Sequence, residues 1–379
     1  MILLALAAAP VAVWLYLLCC RGQFWRLREY LPAAPSDVPA RSIAVIIPAR
    51  DEAGSIGDAV RSLLQQSYRG ELHVIVVDDG SSDGTAEVAA QAAAMVGVTA
   101  QLTVLRGAPL APGWSGKLWA MSQGVEAAAQ FNSDYLLFTD ADIHHEPSAV
   151  AALLAKAEQA RSDLASCMVE LRAKSFAERV LVPAFVFFFF MLYPPAWIGR
   201  SDRRTARAAG GCMLMRPRAL VAIGGLASIR SELIDDCALA RAVKSTGGRV
   251  WLGLTRLSVS TRPYGSFASV GRMISRTAFN QLRHSYLLLC GTVLGLGITY
   301  VLPPALLLSR HAWPMALGAA AWLLMTIAYA PIVRFYRLMP LWSLTLPLVA
   351  VFYAAATLHS ALQYSLRRGG SWKGRVQDP

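Results

Sequence analysis

Charge is scarce in this chain. Asp, Glu, Lys and Arg together make up 16% of its residues against 55% hydrophobic ones, and the mean hydropathy is +0.42. That balance excludes an ordinary soluble enzyme and points to membrane association. The six cysteines, at 19, 20, 167, 212, 237 and 290, include no Cys-x-x-Cys pair and no metal-ligand spacing; they read as small buried hydrophobes in a reducing compartment. No Gly-x-Gly-x-x-Gly and no Walker sequence follows any expected strand, which argues against a dinucleotide-binding oxidoreductase and a P-loop ATPase. The apolar stretches of the last third carry essentially no acids, unlike the charged or broken helices of a transporter.

What charge there is leans basic, with 36 Lys and Arg against 24 Asp and Glu and a formal net charge of +12. Nucleic acid or anionic lipid could draw such an excess. Beside so much apolar sequence, the anionic cytoplasmic leaflet is the simpler partner and an anionic substrate the second, with no nucleic acid expected.

Residues 2–20 form an uninterrupted apolar run followed by Arg21, Arg26 and Arg28. Its length suits a bilayer, and it lacks the basic start and cleavage site of a secretory signal. We read 1–21 as an uncleaved anchor whose basic flank places the following residues in the cytoplasm. A proline-bearing linker at 32–41 follows. The run 180–199, with Phe187–Phe190 and Pro194-Pro195, is also long enough to span. Spanning would separate Asp140 from Asp235-Asp236, so an interfacial or re-entrant segment is expected. Residues 261–284 read as an amphipathic connector. Stretches at about 285–309, 312–333 and 341–364 each have spanning length. Three crossings would send the basic tail 365–379, with Arg367, Arg368, Lys373 and Arg375, to the outer side against the positive-inside rule, and the sequence leaves that conflict open.

From residue 42 the texture changes. Strands at 42–47, 72–77, 101–105 and 134–139 alternate with helices at 54–66, 84–95 and 116–130, the signature of βαβ units and a largely parallel α/β sheet. The first strand runs into Pro48-Ala-Arg-Asp51-Glu52 and the second into Asp78-Asp79-Gly-Ser. Carboxylates just past a strand can accept hydrogen bonds from a ribose or base, although Asp, Gly and Ser also dominate plain turns. The last strand stops at Asp140-Ala-Asp142, two hard oxygen ligands suited to Mg²⁺ or Mn²⁺ bridging a diphosphate. Lys117, at a helix start within Gly113-Trp-Ser-Gly-Lys117-Leu-Trp-Ala120, can neutralise a phosphate. Gly210-Gly211 could let a sugar approach the backbone. Asp235-Asp236 opens a helix, where acids ordinarily cap, but a base able to take a proton from an acceptor hydroxyl is a second use.

In this order, Pro48…Asp51-Glu52, Asp78-Asp79-Gly-Ser, Gly116-Lys117, Asp140-Ala-Asp142, Gly210-Gly211 and Asp235-Asp236 resemble the family 2 inverting glycosyltransferases of GT-A fold, over about residues 42–260. The Gly113–Ala120 stretch, Arg262-Pro-Tyr264 and the membrane layout are similar to the bacterial hopanoid-biosynthesis-associated members. The resemblance implies a GT-A (Rossmann-like) cytosolic domain with membrane helices on either side, and a multi-pass enzyme of the bacterial inner membrane. It implies a nucleotide-diphospho-sugar donor held by Pro48, Asp51, Glu52, Asp79, Lys117, Asp140 and Gly211, and a divalent metal on Asp140 and Asp142. Asp236 matches the presumed catalytic base; because Asp235 stands where the family usually has Glu, either acid is a candidate. Arg262, Arg272 and Arg276 are candidates for the diphosphate or the acceptor. The Gln-x-x-Arg-Trp motif of processive synthases is absent, which argues for single transfers. The apolar segments favour a lipid acceptor, and a hopanoid follows from the resemblance alone. Polyprenyl phosphate or polysaccharide assembly is the enzymatic alternative, and a nucleotide-binding membrane scaffold the non-enzymatic one.

Overall fold

In the computed structural model the short β-branched runs become strands within a residue or two of their expected ends. Residues 2–366 are described, together with the backbone of Ser371–Trp372 and Arg375–Val376; the rest of the basic tail lies outside the described residues. The chain opens with helix α1 (Ile2–Cys20) and then alternates β1 (Ile43–Ala49), α2 (Ile56–Leu64), β2 (Leu72–Asp78), α3 (Thr85–Val96), β3 (Leu102–Arg106), α4 (Gly116–Ala128) and β4 (Tyr135–Thr139). There follow β5 (Ile143–His145), α5 (Ala149–Gln159), β6 (Leu164–Glu170), α6 (Phe176–Leu192), α7 (Pro195–Ile198), β7 (Cys212–Met215), α8 (Pro217–Ala222), α9 (Asp235–Ser245) and β8 (Val250–Ser260).

These strands form one sheet in the order β3-β2-β1-β4-β7-β6-β8-β5. It is parallel from β3 to β4, as expected, but β7 enters antiparallel between β4 and β6, and β5 closes the edge antiparallel to β8. β1 is buried on both faces: Ala44 and Ile46 face the core shared with α4, while Ile43, Val45 and Ile47 face α2 and α5. That burial accounts for the continuous apolar run of this strand.

The last third comprises α10 (Phe267–Ser275), α11 (Ala278–Gln281), α12 (Tyr286–Leu296), a π turn at Gly297–Val301, α13 (Leu302–Leu306), α14 (Ala312–Phe335) and α15 (Leu346–Ser365). Four helical segments among the described residues are long and apolar enough to cross a membrane: Phe176–Ile198, Tyr286–Leu306, Ala312–Phe335 and Pro340–Ser365. Topology bears on the first. β6 and β7 are hydrogen-bonded neighbours, with Leu164 opposite Met215, so the chain that leaves the sheet before α6 returns to it after α7. A single crossing by α6 would put adjacent strands on opposite faces of a bilayer. The phenylalanines of α6 instead pack among the apolar helices: Phe187 against Tyr329 at 5.2 Å, Phe188 against Tyr353 at 4.9 Å and Tyr300 at 5.6 Å. α1 joins the same bundle through Trp14, whose Nε1 donates to Thr299 O at 2.9 Å.

Candidate active site

Because β1, β2 and β4 run parallel, their carboxyl ends share one edge, and ligands bind outside such an edge in α/β sheets. β7 runs the opposite way with Cys212 opposite Thr139, so Gly210-Gly211, just before it, arrive at that edge too. β8 is parallel to β6 and delivers Thr261 and Arg262 there. Topology thus gathers residues from 48 to 262 around one point.

At its centre is Lys117, at the start of α4. Its Nζ lies 2.8 Å from Asp140 Oδ1 and 3.1 Å from Asp235 Oδ2. Burial would lower the lysine's pKa, but the charges of Asp140 and Asp235 outweigh it and hold the ammonium protonated far above its usual range. Asp140 moves up from the ordinary carboxylate value, burial outweighing the attraction of Lys117. Asp236 accepts a hydrogen bond from Gly210 N at 2.7 Å. Burial, and then the like charge of Asp235, push it up to about 6. A side chain at Gly210 would meet both Asp236 Oδ2 and Lys117 Nζ at 3.3 Å, so this glycine keeps clear the space the two functional groups share.

A second cation closes the edge. Arg262 donates from Nε to Asp142 Oδ2 at 2.9 Å and from Nη2 to Glu52 Oε1. Ser260 Oγ also donates to Asp142, at 3.1 Å. Arg262 therefore ties the loop after β1 to the second acid of the Asp-x-Asp. In that loop Asp51 adopts a left-handed backbone, φ 49°, and its carboxylate accepts from Ser82 N at 2.9 Å, joining the loops after β1 and β2. Asp79 is buried beside Arg50, whose Nη1 lies 3.5 Å from Asp79 Oδ2. Pro48 is buried within β1 opposite Val77.

Two of the sequence candidates land differently. Gly211 does not border the shared space: a side chain there would meet Val169 at 3.1 Å, and its carbonyl accepts from Thr139 Oγ1 at 2.8 Å. Gly210, its neighbour in the turn before β7, is the glycine that borders that space. Arg272 is exposed on α10, whose inner face is Val270 and Ile274. Arg276 acts with Arg262, Asp142 and Asp140 on the Tyr264 hydroxyl, which burial pushes up.

Two supporting residues escaped the sequence reading. His145 is buried, with Nε2 3.0 Å from Thr139 Oγ1 and Nδ1 2.9 Å from Ser258 Oγ. Burial pushes its pKa down to about 3, so a neutral imidazole braces the strand end that carries Asp140. Glu178 is fully buried and accepts from Lys174 N at 2.8 Å, Ser175 N at 2.7 Å and Tyr264 N at 2.6 Å. It locks the start of α6 to the Arg262–Tyr264 segment. Its signal was present as Ser175-x-x-Glu178 before an apolar run, a capping box.

A divalent metal fits this donor set. Five carboxylates (Glu52, Asp140, Asp142, Asp235 and Asp236) crowd two cations, Lys117 and Arg262, an excess of negative charge that Mg²⁺ or Mn²⁺ held by one or two carboxylates plus substrate phosphates would offset.

Sheet order, the Asp-x-Asp at the β4 end and the acid pair opening α9 define a GT-A nucleotide-diphospho-sugar transferase fold. The chain belongs to glycosyltransferase-like family 2, whose sequence model matches residues 39–276. It is similar to the mannosyltransferase PcManGT from Pyrobaculum calidifontis, solved in complex with GDP-Man and Mn²⁺. The two share 18% identity and a TM-score of 0.55, over 95% of this chain and 99% of that one. Two staphylococcal 4,4'-diaponeurosporenoate glycosyltransferases are also similar. That of Staphylococcus aureus is 35% identical over 127 residues, and that of Staphylococcus haemolyticus 40% over 104. These matches take in 33% and 27% of this chain, but only 30% and 24% of those proteins' length.

Proposed function

We propose that this protein moves a sugar from a nucleotide-diphospho-sugar to the hydroxyl of a lipid, with inversion at the anomeric carbon, at the cytoplasmic face of the bacterial inner membrane. The observation that carries the reading is the Lys117 bridge between Asp140 and Asp235 with Asp236 beside it around Gly210. A leaving-group cation and a raised-pKa carboxylate share one cleared space, and apolar helices pack beneath it. Asp236 takes the acceptor's hydroxyl proton and the acceptor oxygen attacks the anomeric carbon. The bond from that carbon to the diphosphate breaks, and the nucleoside diphosphate leaves with the electron pair. Lys117 and Arg262 stabilise the charge that develops on it. Mg²⁺ or Mn²⁺ would be held by Asp140 and Asp142 and would supply further neutralisation when bound; PcManGT, of the same fold, was solved with Mn²⁺.

In this reading residues 42–260 are the catalytic domain, 1–21 the anchor and 261–284 a connector at the membrane surface. Contacts of α15 support a particular layout for the segments in 285–364. Its end meets the beginning of α12, Tyr286 Oη lying 2.6 Å from Ser365 Oγ. Its middle meets α6, Tyr353 Oη donating to Leu181 O at 2.9 Å, and it runs along the connector, with Phe352 against Phe267 at 6.0 Å and Ser360 Oγ accepting from Phe279 N at 3.1 Å. In this layout the segments α12–α13 and α14 cross as a hairpin, and α15 lies along the interface and ends on the catalytic side, in accord with the positive-inside rule for the basic residues that follow it in the sequence.

The acceptor class follows from the bundle, and its identity from resemblance: a hopanoid by the sequence motifs, diaponeurosporenoate by the names of the staphylococcal relatives. The test is release of nucleoside diphosphate by detergent-purified protein from a panel of donors, with Mn²⁺, Mg²⁺ or EDTA, against hopanoid, carotenoid and polyprenyl-phosphate acceptors. Metal-dependent release from one donor that rises with one lipid supports the proposal. Donor binding without turnover under every condition would replace it with the scaffold reading.

A further inference from the structure

Where α1 meets the end of α6, a cavity of about 350 Å³ opens between Phe24, Arg28, Phe190, Trp197 and Arg200. It lies at the opposite end of α6 from Ser175 and Glu178, which tie that helix to the Arg262–Tyr264 segment, and nothing in the proposed transfer uses it. Its depth follows from α1. Nineteen residues at ~1.5 Å each span about 28 Å, close to the ~30 Å hydrocarbon core of a bilayer. Arg21, the next residue, then falls at headgroup level.

Charge and shape at this level suit one kind of ligand. Residues 21–29 and 200–207 together hold seven arginines (21, 26, 28, 200, 203, 204 and 207) against two acids, Glu29 and Asp202. Both acids are engaged: Glu29 accepts from Trp251 Nε1 at 2.8 Å, and Asp202 from Arg200 Nε at 2.8 Å and Nη2 at 2.7 Å. Trp197 is flanked by Arg21 at 4.8 Å and Arg203 at 5.2 Å, the amphipathic aromatic expected at a membrane interface. The wall is fixed rather than floppy. Lys244 of α9 donates to Ile198 O at 2.6 Å and Thr205 O at 2.7 Å, and Arg21 donates to Met191 O and Leu192 O at 3.0 Å, capping α6. Arg28 lines the cavity and Arg203 lies over the ring of Trp197, which lines it too; both arginines are exposed and form no ion pair among the described residues.

We propose that this cavity binds the phosphate headgroup of an anionic phospholipid of the same leaflet, with Arg28 from its wall and Arg203 from beside Trp197 on the phosphate. The bound lipid would seat α1 against α6. Native mass spectrometry of the full chain in detergent tests it, with dioleoylphosphatidylglycerol, dioleoylphosphatidylcholine or inorganic phosphate added, and no sugar donor present. The wild type should retain one phosphatidylglycerol in preference to phosphatidylcholine. The double variant Arg28→Gln/Arg203→Gln should bind it on the order of ten- to thirtyfold more weakly, since each basic side chain near an anionic surface contributes roughly a fivefold factor. Arg69→Gln, an exposed change at the opposite edge of the sheet, should bind as the wild type does. Equal retention of the two lipids, undiminished binding in the double variant, or competition by millimolar phosphate as effective as the lipid would each overturn the proposal. Donor turnover, measured separately, should be intact in the double variant, so failure here is distinguishable from failure of the transferase reading.

Discussion

Asp236 sets the sharpest expectation, because its proposed role as base carries a pH dependence that its environment sets. A carboxylate with the ordinary value of 3.8 would be almost fully ionised at pH 5, whereas burial and the adjacent Asp235 charge push Asp236 up to about 6. The base form is the active one, so activity is present above the raised value and lost as pH falls through it. At pH 5 about one-tenth of the molecules hold an ionised Asp236, at pH 6 about half, and above pH 7 nearly all. kcat/KM for the acceptor, measured at saturating donor between pH 4.5 and 8, should rise about tenfold per unit at the acid end and level off near pH 7. Asp236→Asn keeps the shape and leaves an oxygen for the Gly210 amide, but removes the proton acceptor. It should lower turnover on the order of 10²- to 10⁴-fold, with donor binding by calorimetry nearly unchanged. Asp235→Asn removes the like charge and should shift the acid limb to lower pH. A midpoint near 4 in the wild type, or more than a tenth of wild-type turnover in Asp236→Asn, would refute the assignment and move the base to Asp235.

Lys117→Met should lower turnover roughly 10²- to 10³-fold, the scale of losing one stabiliser of a leaving charge, and should reduce the melting temperature because Asp140 and Asp235 are then left facing without their cation. Removing divalent metal with EDTA should abolish transfer, and Mn²⁺ or Mg²⁺ should restore it; full activity in EDTA would exclude a metal on Asp140 and Asp142. Glu178→Gln leaves buried backbone amides short of an acceptor, a loss of about 1–3 kcal/mol per group. It should lower the melting temperature and raise the donor KM more than it lowers kcat, through a loosened Arg262. A reporter fused after residue 379 should report the cytoplasmic side, and a periplasmic signal would show that α15 crosses the membrane.

Local periodicity was enough to place the strands and helices of residues 42–140 and the apolar helices, because a strand buried on both faces and a lipid-facing helix write themselves as apolar runs. The acids after β1, β2 and β4 were legible as strand-end residues for the same reason. The choice between Gly210 and Gly211 was not legible, since it depends on which way β7 enters the sheet. Nor was the bracing by His145 and Glu178 seen, since their partners, Ser258 and Tyr264, are 113 and 86 residues away.

The amino-acid sequence by itself determined the α/β texture, the excess of apolar and basic residues, and the ordered motifs that mark the family. Tertiary structure alone decided that β7 runs antiparallel and brings Gly210 against Lys117 and Asp236, and that Arg262 clasps Asp142 to Glu52. The physical reason is range. Hydrophobic period and turn chemistry act between residues a few positions apart, whereas the ion pairs Lys117–Asp235 and Asp142–Arg262 join residues more than a hundred positions apart, which only the packed fold brings to 3.1 and 2.9 Å.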